Sequence, residues 1–144
     1  MKLVPLIPSE VAGPLGIKHL PRLWLKACLQ AKSMLHDEYP GVCPGYDSML
    51  LDMVGIDMEA FKTYIADTLP SLPECEAWIQ ANGRLDPAKI AAFNRQVDQY
   101  HHDDATRKEI LDAAGIADDG SYPDAPTLNA LDDWTIFHRD TLKS

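Results

Sequence analysis

The sequence predicts an all-α protein: a compact bundle of about six or seven short helices around a central N-terminal helix. Three observations carry that reading. Apolar residues recur at spacings of three and four in successive segments, and Asp, Ser and Pro start signals alternate with Gly stops. No stretch alternates apolar and polar residues over a useful strand length. A chain of 144 residues, 46% hydrophobic and 24% charged, is large enough for one real core. The expected organisation is an extended lead-in over residues 1–17 and a single helical domain over residues 18–144.

The lead-in carries Pro5, Pro8, Gly13, Pro14 and Gly16, which break any helix. Leu3, Val4, Leu6, Ile7 and Val11 can still pack onto the core. The central helix runs from Leu20 to Leu35. Pro21 suits the first helical position, where its missing N–H is harmless. Leu20, Leu23, Trp24, Ala27, Cys28, Ala31, Met34 and Leu35 share one broad face, and Leu25 and Leu29 lie nearly opposite. Two apolar zones imply a helix buried between neighbours. Arg22 and Lys26, four apart, lie between them.

Two Pro-Gly turns make His36–Gly45 a loop. Asp47 is expected to cap a helix over Ser48–Val54 stopped by Gly55, and Asp57 one over Met58–Thr68. Ser71 and Glu74 form a capping-box pair for a helix reaching about Ala81, with Gly83 beyond it. Asp86-Pro87 starts a helix to about Tyr100 on the spacing of Ile90, Phe93, Val97 and Tyr100. Asp104 starts Ala105–Ala114, which Gly115 stops. After a turn-rich loop, Thr127 is expected to cap a last helical region holding Leu131, Trp134, Ile136 and Phe137.

Charge narrows the function. The net charge is −9, yet residues through Leu35 carry Lys2, Lys18, Arg22, Lys26 and Lys32 against the single acid Glu10. An acidic chain argues against nucleic acid and anionic membranes as partners. No apolar run approaches the roughly 20 residues that span a bilayer. The N-terminus is broken by Pro5 and Pro8 and lacks a signal-peptide core, so the cytoplasm is the expected location. Cys28, Cys43 and Cys75 form no CxxC pair, and only Cys43, in a loop, is a candidate reactive thiol.

The start of the central helix is unusual. With Leu20 as cap it has no side-chain acceptor for its first N–H groups, and Lys18, His19 and Arg22 add positive charge to the positive dipole end. That pattern suits a small anion. His19, Arg22, Asp133 and His138 are the candidate catalytic residues, and Trp24, Lys26, Tyr46, Asp47 and Trp134 the candidate ligand-binding ones. Histidine beside arginine and aspartate is the minimum for acid–base work near neutral pH. The expected activity is proton abstraction or elimination beside a carboxylate or carbonyl, of a metal-independent lyase, isomerase or cyclase type, with no cofactor. In the competing reading, Arg22 and Lys26 pair with Asp47 and Asp133 to fix helix positions, His138 is a surface residue, and the domain docks on another protein or forms a homodimer.

No metal is expected. His36-Asp37-Glu38 and His101-His102-Asp103-Asp104 look metal-like, but adjacent residues on a helix point apart, whereas ligands prefer spacings of three or four. Asp103 and Asp104 read better as caps. There is no GxGxxG and no GxxxxGK[ST], and Ser9, Ser33, Ser48 and Ser71 lack a nucleophile-elbow context.

Three stretches resemble the small bacterial proteins grouped as domain of unknown function 5069. They are His19-Leu-Pro-Arg-Leu-Trp-Leu-Lys-Ala27, Cys43-Pro-Gly-Tyr-Asp-Ser-Met-Leu-Leu-Asp-Met-Val-Gly-Ile-Asp57 and Leu131-Asp-Asp-Trp134. The Leu-Pro-Arg and Gly-Ile-Asp elements are the most specific, and the similarity runs from about Gly16 onward. The resemblance implies a small helical domain and brings no established catalytic residue. It departs at Leu25, where the family favours an acid, which removes one charged partner for Lys26.

Overall fold

A computed structural model describes residues 1–144. Seven α-helices follow one another: α1 (Leu20–Ala31), α2 (Tyr46–Val54), α3 (Met58–Thr68), α4 (Leu72–Asn82), α5 (Pro87–Gln99), α6 (Asp104–Ala114) and α7 (Ala125–Phe137). A single π-type turn over His138–Leu142 continues α7. There is no β-sheet; the two isolated bridges, Leu3 with Leu35 and Ala12 with Lys18, tie the lead-in to both ends of α1.

The helix starts follow the side-chain acceptors. Asp57 accepts from the Ala60 N–H at 3.0 Å and Asp86 from Ala88 at 3.0 Å. Ser71 and Glu74 close their reciprocal pair at 3.3 and 2.9 Å. Three starts differ from the sequence reading. Asp103, not Asp104, caps α6 by accepting from Thr106 at 2.7 Å. Asp124, not Thr127, caps α7, because Ala125-Pro126 fill the first helical positions and Thr127 becomes the reciprocal partner at 2.9 Å. Asp47 caps nothing: α2 begins at Tyr46 after Gly45, so the Asp47 carboxylate falls inside the first turn and is free to point into the protein.

α1 also ends earlier than its apolar spacing suggests, at Ala31. Ser33 turns into the left-handed region at φ 56°, and the Met34 N–H reaches back to the Leu29 carbonyl at 2.8 Å. Leu3 then pairs on both sides of Leu35, donating to Met34 O at 2.7 Å and accepting from His36 N at 2.9 Å. That backbone pairing draws Met34 and Leu35 off the helix.

The main core gathers Ile17 with Leu20 and Leu23 of α1, Leu50, Leu51 and Val54 of α2, Phe61 and Ile65 of α3, Cys75 and Ile79 of α4, and Phe93 and Val97 of α5. α1 packs on α3 and α4, and α2 on α5. A smaller cluster of Ile110, Leu111, Leu128 and Leu131 joins α6 to α7. At Gly83 the backbone passes so close to Val54 O that a Cβ would lie 2.6 Å from it, which locks the α4 exit onto α2. No helix is long and apolar enough to cross a membrane.

Candidate functional site

The face of α1 turned away from the main core is polar, and it is nonetheless buried. His19 is the residue before the helix and adopts φ 73°, a conformation a histidine takes only where its surroundings hold it. Its side chain does not cap α1. The ring instead links two segments. Nδ1 lies 3.0 Å from Ser9 Oγ in the lead-in, and Nε2 lies 2.6 Å from Asp47 Oδ1 on α2. The other Asp47 oxygen takes Lys26 Nζ at 2.5 Å and the Cys43 N–H at 3.1 Å. The Tyr46 ring tilts against His19 with centroids 5.2 Å apart, while its hydroxyl donates to Val97 O at 2.9 Å.

A second cluster adjoins the first. Arg22 grips Asp133 of α7 with both nitrogens, at 2.6 and 3.1 Å, and Nη1 also donates to the carbonyls of Pro5 and Ile7 at 2.7 and 3.0 Å. The Tyr39 hydroxyl donates to Asp133 Oδ1 at 2.6 Å. One guanidinium thereby fastens the lead-in, α1 and the α6–α7 pair together.

Burial and neighbouring groups together set the protonation of His19, Asp47 and Tyr39. Burial lowers the His19 pKa below its ordinary value, more than the Asp47 hydrogen bond raises it. Burial pushes the Asp47 carboxyl up, but the His19 hydrogen bond and the Lys26 charge outweigh it and hold that carboxyl low. An ionised carboxylate only accepts, so Nε2 carries the proton of a neutral ring and Nδ1 must accept from the Ser9 hydroxyl. Burial and Asp133 raise the Tyr39 phenol, keeping it a donor. Burial, then the Asp133 charge, also raises the pKa of Asp132, a half-buried carboxylate with no hydrogen-bond partner. The Cys43 thiol is pushed up by burial, against Lys26, so it is a poor nucleophile.

These residues line one cavity of about 340 Å³, together with Glu38, Tyr39, Pro40, Pro44, His102 and Asn129. The structure brings His19, Arg22, Lys26, Tyr46, Asp47 and Asp133 to it. Three expected members lie elsewhere. Trp24 turns the other way, toward the core, and donates its indole N–H to Pro70 O at 2.8 Å. Trp134 is 54% exposed on the outer side of α7, and His138 is exposed in the π-type turn. A four-residue spacing placed those two on one helical face, but that face looks outward while Asp133 looks in. The expected cation-rich entrance is also corrected: Asp47 and Asp133 already neutralise Lys26 and Arg22. The pairing expected in the competing reading is present.

Ser9, Tyr39, His102, Asn129 and Asp132 went unselected in the sequence. Ser9 and Tyr39 sit in irregular segments whose folding over α1 leaves no periodic signal. Asp132 was visible only as the neighbour of Asp133. His36, Glu38 and Asp140 bring three metal-ligating atoms within 4.8 Å, but Arg139 pairs with both carboxylates and so supplies the positive charge there itself. His101 and His102 diverge, and His102 Nε2 meets Asn129 Oδ1 at 2.8 Å.

A family model for the domain of unknown function 5069 matches residues 7–131, most of the chain, and the protein belongs to that family. No curated protein matches it.

Proposed function

For this member of the family, we propose that the cavity between the lead-in, α1, α2 and α7 binds a small polar metabolite and performs acid–base chemistry on it. One observation carries the proposal. Of the seven buried polar or charged residues of the chain, six line this single cavity: Ser9, His19, Arg22, Lys26, Asp47 and Asp133. A buried ionic cluster adds little stability over well-packed apolar side chains of the same volume. Convergent polar groups with shifted pKa values on the wall of a cleft are instead the mark of a working site.

The lining narrows the ligand. With Lys26 and Arg22 matched by Asp47 and Asp133, and Glu38 matched by Arg139, Asp132 is left as the carboxylate without a cationic partner. A phosphate or dianion would meet no unpaired cation. A neutral or singly charged molecule with a carbonyl or hydroxyl group suits the wall better. The Lys26 ammonium has three N–H donors and one partner, Asp47, so it can hold a carbonyl oxygen. Asp132, whose raised pKa makes it a stronger base, is suited to proton abstraction next to that carbonyl. The reaction class is isomerisation or elimination.

A thermal-shift screen with small hydroxy acids, keto acids, neutral ketones and inorganic phosphate tests the proposal. A carbonyl compound should raise the melting temperature, because a ligand that binds only the folded state stabilises it. A response to phosphate alone, or to none of these, would refute it. A second reading, a docking module, draws on the exposed Trp134, a residue type enriched in interface hot spots. Sedimentation of Trp134→Ala beside the parent chain tests it: a parent dimer lost in the variant supports that reading.

A further inference from the structure

The order Ser9, His19, Asp47 forms a hydrogen-bonded line of hydroxyl, imidazole and carboxylate, with contacts of 3.0 and 2.6 Å, on the wall of the cavity. We propose that Ser9 is a nucleophile and that the protein can transfer acyl groups from small esters through it. The inference rests on the cavity admitting a small ligand and adds a covalent step to that reading.

The geometry supplies each required role. The carboxylate fixes the imidazole tautomer, so the lone pair on Nδ1 faces the serine hydroxyl. Ring nitrogens are used in the reverse sense from the usual serine triad: Nδ1 serves the nucleophile and Nε2 the orienting acid. Triads are recognised by geometry and role, and either nitrogen can take the proton. Asp47 is held in turn by Lys26 and the Cys43 N–H, which keeps it ionised and immobile. Ser9 lines the cavity and is 1% exposed, so its hydroxyl is shielded from bulk water.

Ser9 Oγ bonds to the ester carbonyl carbon as its proton passes to His19 Nδ1. The carbonyl electron pair moves onto oxygen, which accepts from an N–H of Lys26 not engaged by Asp47. The carbon–oxygen bond to the alcohol breaks, and the alcohol leaves with the proton from Nδ1. Water then gives a proton to Nδ1 and attacks the acyl-serine; the acid departs and Ser9 regains its proton. One ester and one water become one acid and one alcohol.

The test is labelling of the full chain with a small fluorophosphonate, read by intact mass and peptide mapping. The expected result is a single adduct on Ser9, absent from Ser9→Ala and formed at least about a hundredfold more slowly in His19→Gln, the scale of a lost general base. No adduct on Ser9, or an adduct that forms as fast without His19, overturns the proposal. The parent chain alone decides the first point, whatever the stability of the variants. If a neutral ketone still raises the melting temperature of a chain that takes no label, the binding reading stands and the nucleophile falls.

Discussion

The two sides of α1 use burial in opposite ways. One side sends Leu20, Leu23 and Ala27 into the main core against α3 and α4. The other holds Arg22 and Lys26, with His19 just before the helix, at burial nearly as complete. On the first side every removed square ångström of apolar surface stabilises the fold, by about 25 cal/mol. On the second, desolvation of two cations and two carboxylates offsets most of the attraction between them. Both sides organise the protein, but only the apolar one needs no further reason to exist. The polar side joins lead-in, α1, α2 and α7 in an arrangement that packing alone would not select.

Truncation separates the two sides of α1 most visibly. Phe61 is wholly buried, and Phe61→Ala should lose about 3–5 kcal/mol in denaturant unfolding, enough to unfold a marginal domain. Asp133→Ala should lose about 3 kcal/mol, because Arg22 is left buried with only the two carbonyl acceptors. A loss below about 1 kcal/mol would show that the polar side is looser than its burial implies.

Acid sharpens the same contrast. Asp47 titrates below its ordinary value in the fold, so its contribution is present above the unfolded pKa of about 3.9 and is lost as pH falls through the folded value. The lowered His19 pKa acts in the same direction from higher pH: its contribution is present above about 6.5 and is lost as pH falls toward the folded value. Stability should therefore fall in two stages on acidification, with His19→Gln removing the upper stage. A flat profile between pH 7 and 5 would contradict the neutral ring. The smallest effect belongs to the surface. Lys108 meets Asp112 at 2.5 Å, but both are well exposed, and Lys108→Ala should change stability by no more than about 0.5 kcal/mol.

How much of this was legible in the sequence follows from what kind of signal each part leaves. Helices were legible because their apolar spacing and caps are local: Asp57, Ser71 and Asp86 act on N–H groups two or three residues away. The Asp124 start was hidden because its Asp-Ala-Pro run also reads as a turn. His19, Arg22 and Lys26 stood out because charge on an otherwise apolar helix is conspicuous. Ser9, which meets His19, and Tyr39, which meets Asp133, do not, since hydroxyls in proline-broken segments are ordinary until the chain folds over α1. Trp134 and His138 lie one step of rotation from the expected face: Asp133 points into the protein, and its neighbour therefore points out. The sign of the entrance differs from the leading expectation for a related reason. Net charge along the chain counts Lys26 and Arg22, whereas the carboxylates that neutralise them come from helices distant in sequence.

At the centre of the site is a buried imidazole kept neutral between a hydroxyl and a carboxylate. Nitrogen-15 NMR of the His19 ring, followed against pH, measures that state directly. The ring should be uncharged at pH 7, protonated on Nε2, with a titration midpoint below the ordinary value of about 6.5. An imidazolium at pH 7, or a proton resident on Nδ1, would contradict that state.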